Sequence, residues 1–246
     1  MTRLSVNLNK IALLRNSRGH DYPNLISFAE KALTAGAHGL TIHPRPDQRH
    51  ATYADVPALK ACLASYPEAE LNVEGYPDEK FMAVVLAQRP DQVTLVPDAP
   101  GQLTSDHGWN LRETRSLVSG RIDQLRQAGI RSSLFLDPDP EQIDFAAAVR
   151  PDRIELYTEA YAAAYGTTEE ATVFDRYHRA AARAQQLGLG VNAGHDLNLD
   201  NLGRFLTIPG ILEVSIGHAL TVEALDHGYT NVIGRYLRII GDDSPG

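Results

Sequence analysis

Residues 172–196, TVFDRYHRAAARAQQLGLGVNAGHD, hold one complete unit of the rhythm that decides the fold. Phe174, Tyr177, Ala181, Ala184 and Leu187 recur at steps of three or four, which places one apolar stripe along a helix. Gly188 supplies the residue that ends that helix. The following run, Leu189–Asn192, is too short for a helix and reads as a strand, after which the chain turns polar at Gly194-His195.

The same alternation runs outward in both directions. Further strand candidates are Leu4–Leu8, Gly39–His43, Glu70–Glu74, Gln92–Pro97, Ser132–Asp137, Arg153–Tyr157 and Leu212–Ile216, each followed by turn residues and a segment of helical period. A second clear helix, 77-PDEKFMAVVLAQRP-90, opens on Pro-Asp-Glu and closes before Pro90. No Gly/Ser-rich linker or shift in composition divides the 246 residues. Eight βα units without an antiparallel hairpin signal predict a single domain, 1–246, folded as a (β/α)8 (TIM) barrel. An open doubly wound sheet competes, but no GxGxxG follows the first strand.

With 43% apolar and 22% charged residues, the chain can bury a sizeable core. Its net charge of −8 argues against non-specific nucleic-acid binding, so any basic cluster is local and aimed at something small. No N-terminal signal pattern appears, and no run approaches the ~18 apolar residues of a membrane span. The single cysteine, Cys62, has no partner for an intrachain disulfide and reads as a small packed hydrophobe. These features suggest a cytoplasmic enzyme.

In such a barrel the site forms at the C-terminal ends of the strands. Those ends deliver Asn7 with Asn9-Lys10, then His43, Glu74, Asp137, Glu155 with Tyr157, Asn192 with His195, and Gly217-His218. The N-terminal ends carry Arg3, His38, Glu70, Arg131 and Arg153, which read as solvated caps. The stretch 41-TIHPRPDQRH-50 packs two histidines and two arginines into eight residues, a density that suits a phosphate or carboxylate. Arg45, stiffened between Pro44 and Pro46, is the better anion contact, while pairing with Asp47 is the ordinary alternative for Arg45 and Arg49. Glu74 ends a mainly apolar strand, where desolvation suits a carboxylate to proton transfer; pairing with a nearby Arg or Lys is its bland alternative.

The stretches 191-VNAGHDLNLDN-201 and 214-VSIGHAL-220 share a Gly-His pair just before a helix, at the loops where this fold usually holds phosphate. His20, His38, His107, His178 and His227 read as solvated. With no HxH, HExxH or Cys cluster, a dedicated transition-metal site is not expected. The segment from Asp98 to Asn110 is long for a βα loop and carries Gly101 and Gly108, as a mobile lid would.

Taken in order, 6-VNLNKIALLRNSRG-19, 41-TIHPRPDQRH-50, LNVEG, TLVPD, SLFLDPD, IELYTE, VNAGHD and SIGHA resemble the pyridoxine 5′-phosphate synthase family nearly end to end. The resemblance implies a cofactor-free condensation of 1-deoxy-D-xylulose 5-phosphate with 3-amino-2-oxopropyl phosphate, giving pyridoxine 5′-phosphate, phosphate and water. It implies that Glu74 and His43 accept protons and that His195 donates one. Arg45 and His50 would hold the deoxyxylulose phosphate. Asn7, Gly217, His218 and the backbone after His195, at Asp196, would hold the amino ketone, with Asn9 and Lys10 as further contacts. Thr104 would reach in from the lid, and Arg18 from a neighbouring subunit of a homo-oligomer, which the family suggests is an octamer built from dimers.

The chain departs from the commoner pattern of that family. Asn9-Lys10 stand for an acidic residue and a histidine, Asp196 for a glycine, and Tyr157 for a histidine. Asp196 beside a phosphate loop is tolerable if it caps the following helix. Two other functions compete: a lysine Schiff-base aldolase, for which Lys10 is the one placed candidate, and a phosphosugar-binding barrel without turnover.

Overall fold

The computed structural model describes residues 1–98 and 105–242. Strand β1 (Arg3–Asn7) leads into α1 (Asn9–Asn16) and α2 (Leu25–Thr34), and β2 (Gly39–Ile42) into α3 (Asp55–Leu63). Next come β3 (Glu70–Gly75), α4 (Glu79–Gln88), β4 (Gln92–Leu95) and α5 (Leu111–Gln127). They are followed by β5 (Arg131–Leu136), α6 (Pro140–Val149), β6 (Arg153–Leu156), α7 (Glu159–Ala164) and α8 (Glu170–Gln186). The chain ends with β7 (Gly190–Ala193), α9 (Leu202–Phe205), β8 (Ile211–Ile216), α10 (His218–His227) and α11 (Tyr229–Ile239). All eight strands pair in parallel with their sequence neighbours, and β1 pairs with β8, so the sheet closes into the expected (β/α)8 barrel. The strands fall within a residue or two of their expected places. The largest difference is at β4, which stops at Leu95 because Pro97 has no N–H to continue the ladder.

Helix starts follow from local chemistry. The side chains of Asn24, Asp78 and Asp139 accept backbone N–H groups of Ser27, Phe81 and Glu141, satisfying donors that each first turn leaves open. The stripe read along α8 is the face that packs: Tyr177, Ala181 and Ala184 are fully buried.

Strict alternation along the strands sorts the barrel's two faces. Leu4, Val6, Leu40, Ile42, Leu71 and Val73 belong to the buried apolar layer under the helices. Between them, Ser5, Thr41, Asn72, Thr94 and Asn192 are buried polar residues that bond across neighbouring strands or, for Asn192, across the barrel interior. Ser5 and Thr41 lie 2.6 Å apart, Thr94 donates to Asn72 at 3.0 Å, and Asn192 to Gln92 at 3.4 Å. A barrel interior of branched aliphatic side chains is the usual arrangement. Here it is a hydrogen-bonded polar column with the site at its top.

The N-terminal rim corrects the expectation of solvated caps. Glu70 accepts from both Arg3 (2.8 Å) and Arg131, and Arg153 approaches Glu213 at 3.5 Å. His38 accepts the Leu4 N–H through Nδ1 and meets Asp242 through Nε2 at 3.0 Å. These half-buried charges close the barrel floor, because polar strand ends inside a closed ring find each other before they find water. Cys62 is half-buried on α3, and burial pushes its thiol up, away from nucleophilic use.

Candidate active site

Two asparagines fix the mouth of the barrel. The Asn9 N–H donates to Asn7 Oδ1 at 3.0 Å, and Asn9 Oδ1 in turn accepts the backbone N–H of His43 at 2.8 Å. The ends of β1 and β2 are thereby tied, and His43 is held just beyond β2. Its ring is buried, with Nδ1 3.8 Å from Glu74 Oε2 and Nε2 3.8 Å from Asp98 Oδ2. Both separations exceed a hydrogen bond, and Nε2 has no partner among the described residues.

Burial, then the charges of Arg45, His50 and Arg49, pull His43 well below the usual imidazole range. Burial, then Glu155, Asp98 and Glu213, push Glu74 well above the usual carboxylate range. Burial thus works against charge on both side chains, which lie less than 4 Å apart. Such a pair can pass a proton to or from a bound molecule without creating a net charge in the cavity.

Around that pair lie two cationic regions. Arg45, 6% exposed, bonds Asp98 Oδ2 at 2.6 Å, and the same oxygen accepts from Ser105 Oγ at 2.8 Å. Arg49 pairs with Asp47 at 3.3 Å, as read from the sequence, and its Nε also donates to His50 at 3.4 Å. Burial and the charges of Arg45, Arg49 and Lys10 lower His50 to about 4. Beside burial, three cations converge on this one histidine, and such a concentration of positive charge suits an anion.

The second region is at β7 and β8. Gly194 and Gly217 are required by close approach. A Cβ on Gly194 would lie 2.1 Å from the Ser215 carbonyl oxygen, and one on Gly217 would lie 2.9 Å from Asn7 Cβ. Gly217 precedes the N-terminus of α10, whose first residue is His218, so the helix dipole adds to the positive charge there. His195 Nδ1 lies 2.9 Å from Asp196 Oδ2, and the Tyr157 ring stands edge-on to the imidazole at 5.0 Å. Asp196 does not cap the following helix. The turn beyond it is organised by Asn198 and Asn201.

One cavity of about 380 Å³ takes in both regions. His43, Glu74 and His195 line it, as do all the expected binding residues except two. Arg18 is exposed and does not line the cavity of its own chain; Thr104 lies outside the described residues. Of the expected lid, residues 99–104 also lie outside them. Residues 105–110 are anchored: Trp109 is buried and donates to the Leu95 carbonyl at 2.8 Å. Gly108 is no hinge, since a Cβ there would lie 2.3 Å from the Asp137 nitrogen and its N–H is held by Asp137 Oδ2.

Sequence reasoning gave no role to two carboxylates that it had placed near the site. Glu155 is 4% exposed, lines the cavity, and is pushed up to about 8 by burial and by Glu213. Its signal was the alternation Arg153-Ile154-Glu155-Leu156, which turns an acid inward between two apolar residues. Asp98 stood in the quoted TLVPD but drew no attention as the partner of Arg45.

Fold and cavity together define a (β/α)8-barrel enzyme equipped for acid–base chemistry on a small anionic substrate. Comparison with known proteins narrows this: the family described as pyridoxal phosphate biosynthesis protein PdxJ matches residues 4–242, and the chain belongs to it. A pyridoxine 5′-phosphate synthase of Chelativorans sp. is 47% identical over 240 residues, 96% of this chain and 97% of that one. The pyridoxine 5′-phosphate synthase of Albidiferax ferrireducens is 49% identical over 245 residues, 97% of each. Phosphoribosyl anthranilate isomerase of Thermotoga maritima aligns with a TM-score of 0.63 at 14% identity, over 98% of this chain and 99% of that one. That last likeness is one of fold alone.

Proposed function

We propose that this chain is a pyridoxine 5′-phosphate synthase, condensing 1-deoxy-D-xylulose 5-phosphate with 3-amino-2-oxopropyl phosphate to pyridoxine 5′-phosphate, phosphate and water. The observation that carries the reading is the His43–Glu74 pair set between two cationic regions of one cavity. Two phosphorylated substrates need two anion sites, and their joining needs proton transfers between them.

In this reading Arg45 and His50 hold the deoxyxylulose phosphate. Asn7, Gly217, His218, the Asp196 backbone and Lys10 hold the amino ketone and its phosphate. The imine forms between the two substrates, so no enzyme amine becomes covalently bound. His43 and Glu74 take up the protons released on enolisation, and His195 returns one to the departing oxygen. Glu155, protonated near neutrality, donates a hydrogen bond toward developing negative charge from below. Holding both substrates in one cavity supplies the proximity that a bimolecular condensation lacks in water.

Neither a metal nor a cofactor is part of this scheme. Arg18, exposed on its own subunit, serves the cavity of a neighbour in a homo-oligomer, an octamer built from dimers by family likeness, and the enzyme works in the cytoplasm. No helix among the described residues is long and apolar enough to cross a membrane.

Incubation with both substrates, following pyridine-ring absorbance and phosphate release together, tests the proposal. No ring absorbance with both substrates present, together with borohydride trapping of a ketone on Lys10, would transfer the chain to the Schiff-base reading.

A further inference from the structure

Asp196 was read from the sequence as a residue beside a bound phosphate. The structure gives it different work. Its φ is +63°, a left-handed conformation that few side chains adopt but that Asp tolerates. That conformation turns the carboxylate back onto the ring of the residue before it, with Oδ2 2.9 Å from His195 Nδ1.

The backbone on both sides is held in place. The Thr158 hydroxyl donates to the His195 carbonyl, and Asn201 Nδ2 donates to the Asp196 carbonyl at 3.2 Å. The Leu197 N–H closes the turn onto the Gly194 carbonyl at 3.0 Å. Tyr157 limits the ring from the other side, its plane at 73° to the imidazole. An unfavourable backbone conformation, clamped by three hydrogen bonds, exists here to place one carboxylate.

We propose that Asp196 is a positioning residue for the reaction: it fixes the tautomer and ring plane of His195 and stabilises the imidazolium. An ionised carboxylate only accepts, so the proton of the neutral ring must reside on Nδ1. Nε2 is then the nitrogen through which His195 exchanges a proton with a molecule in the cavity it lines. The carboxylate is suited to this: the bond from His195, and the nearby charges of His195, His218 and Lys10, hold it below the usual carboxylate range. With its charge directed to the ring, Asp196 no longer opposes an anion at the α10 N-terminus.

This inference rests on the synthase reading for its kinetic part, and the test separates the two. Asp196→Gly keeps the left-handed turn without strain, and Asp196→Asn keeps the shape but removes the charge. An amide can either accept from Nδ1–H or donate to a bare Nδ1, so neither variant enforces a tautomer. Imidazole nitrogen NMR, with the His195 signals assigned through His195→Gln, should show Nδ1–H in the wild type and a shift toward Nε2–H in both variants. Both should lose roughly 10- to 100-fold in kcat with KM within a few-fold, a pattern that lost substrate binding would not give.

An unchanged tautomer in both variants, or a changed tautomer with undiminished kcat, would overturn the assignment. A wild type that does not turn over the two substrates would instead overturn the synthase reading, while the NMR comparison still decides the Asp196–His195 pairing.

Discussion

Replacing Glu155 by Gln should stabilise the protein, and increasingly so as the pH rises. Glu155 lies 4% exposed on the barrel axis, and its carboxyl is raised from 4.5 to about 8 by burial and by Glu213. In the unfolded chain it ionises at its ordinary value; in the folded chain it keeps its proton. For an acid raised on folding, its contribution to stability is fully present below 4.5 and is lost as the pH climbs to about 8. At about 1.4 kcal/mol per tenfold change in proton affinity, the interval from 4.5 to about 8 sets a ceiling of about 5 kcal/mol. Water in the open cavity screens part of this, so a measured effect of about 2–4 kcal/mol is expected. Gln has nearly the same shape and nothing to ionise. Urea unfolding of both proteins at pH 5, 6.5 and 8 should show them close at pH 5, with the variant ahead by that amount at pH 8. Because Glu155 also raises Glu74, the difference reports Glu155 together with its coupling to that neighbour. A gap independent of pH would mean that Glu155 is ionised in the folded protein, and the account of the carboxylate column would fail.

Other consequences follow from the same charges. Glu74→Gln should lower kcat by roughly 10²–10⁴-fold with substrate binding within a few-fold, and near-wild-type turnover would make the carboxyl structural. Inorganic phosphate should raise the titration point of His50 from about 4, because an anion offsets the cations that suppress it; a histidine NMR titration unmoved by phosphate would place the anion elsewhere. Arg45→Ala should destabilise the fold by about 3 kcal/mol by leaving Asp98 buried and unpaired, and adding Asp98→Asn should recover much of that. Arg45→Lys should weaken deoxyxylulose phosphate binding about as much as Arg45→Ala, since an ammonium lacks the planar fork. Additive stabilities in the first comparison, or full affinity in the second, would count against the roles given to Arg45.

The barrel was legible because its signal is periodic and local. The stripe along α8, the short apolar runs and the turn residues between them each follow from contacts within one element. Positions such as His43, Glu74 and His195 were legible for a related reason: they fall at strand ends, where the fold itself exposes side chains to a cavity. What stayed hidden depends on pairs far apart in the chain. Arg131 looked like a solvated cap until closure of the sheet brought it to Glu70, 61 residues away. Asp98 gains its meaning only from Arg45 across the mouth, and Glu155 only from Glu213 and Glu74 inside the ring. Gly108 read as a hinge because a glycine in a long loop signals freedom, whereas here it marks a close approach to β5.

The departures at Asn9 and Lys10 make sense once position is separated from side-chain identity. What Asn9 does for the barrel is accept the His43 N–H, and any short side chain with an acceptor oxygen at the start of α1 can do that. An aspartate there would do so with a charge, beside an imidazole whose protonation burial disfavours; asparagine does so without one. Lys10 acts on both anion regions, lowering His50 on one side and Asp196 on the other. A histidine could supply that charge only when protonated, in a setting where the neighbouring histidines lose their protons. The two changes are therefore complementary: one removes a negative charge near the proton-transfer pair, and the other makes a positive charge permanent between the two phosphate regions. In the proposed synthase reading, that arrangement serves a cavity that disfavours charge on its proton-transfer groups while its substrates arrive as anions.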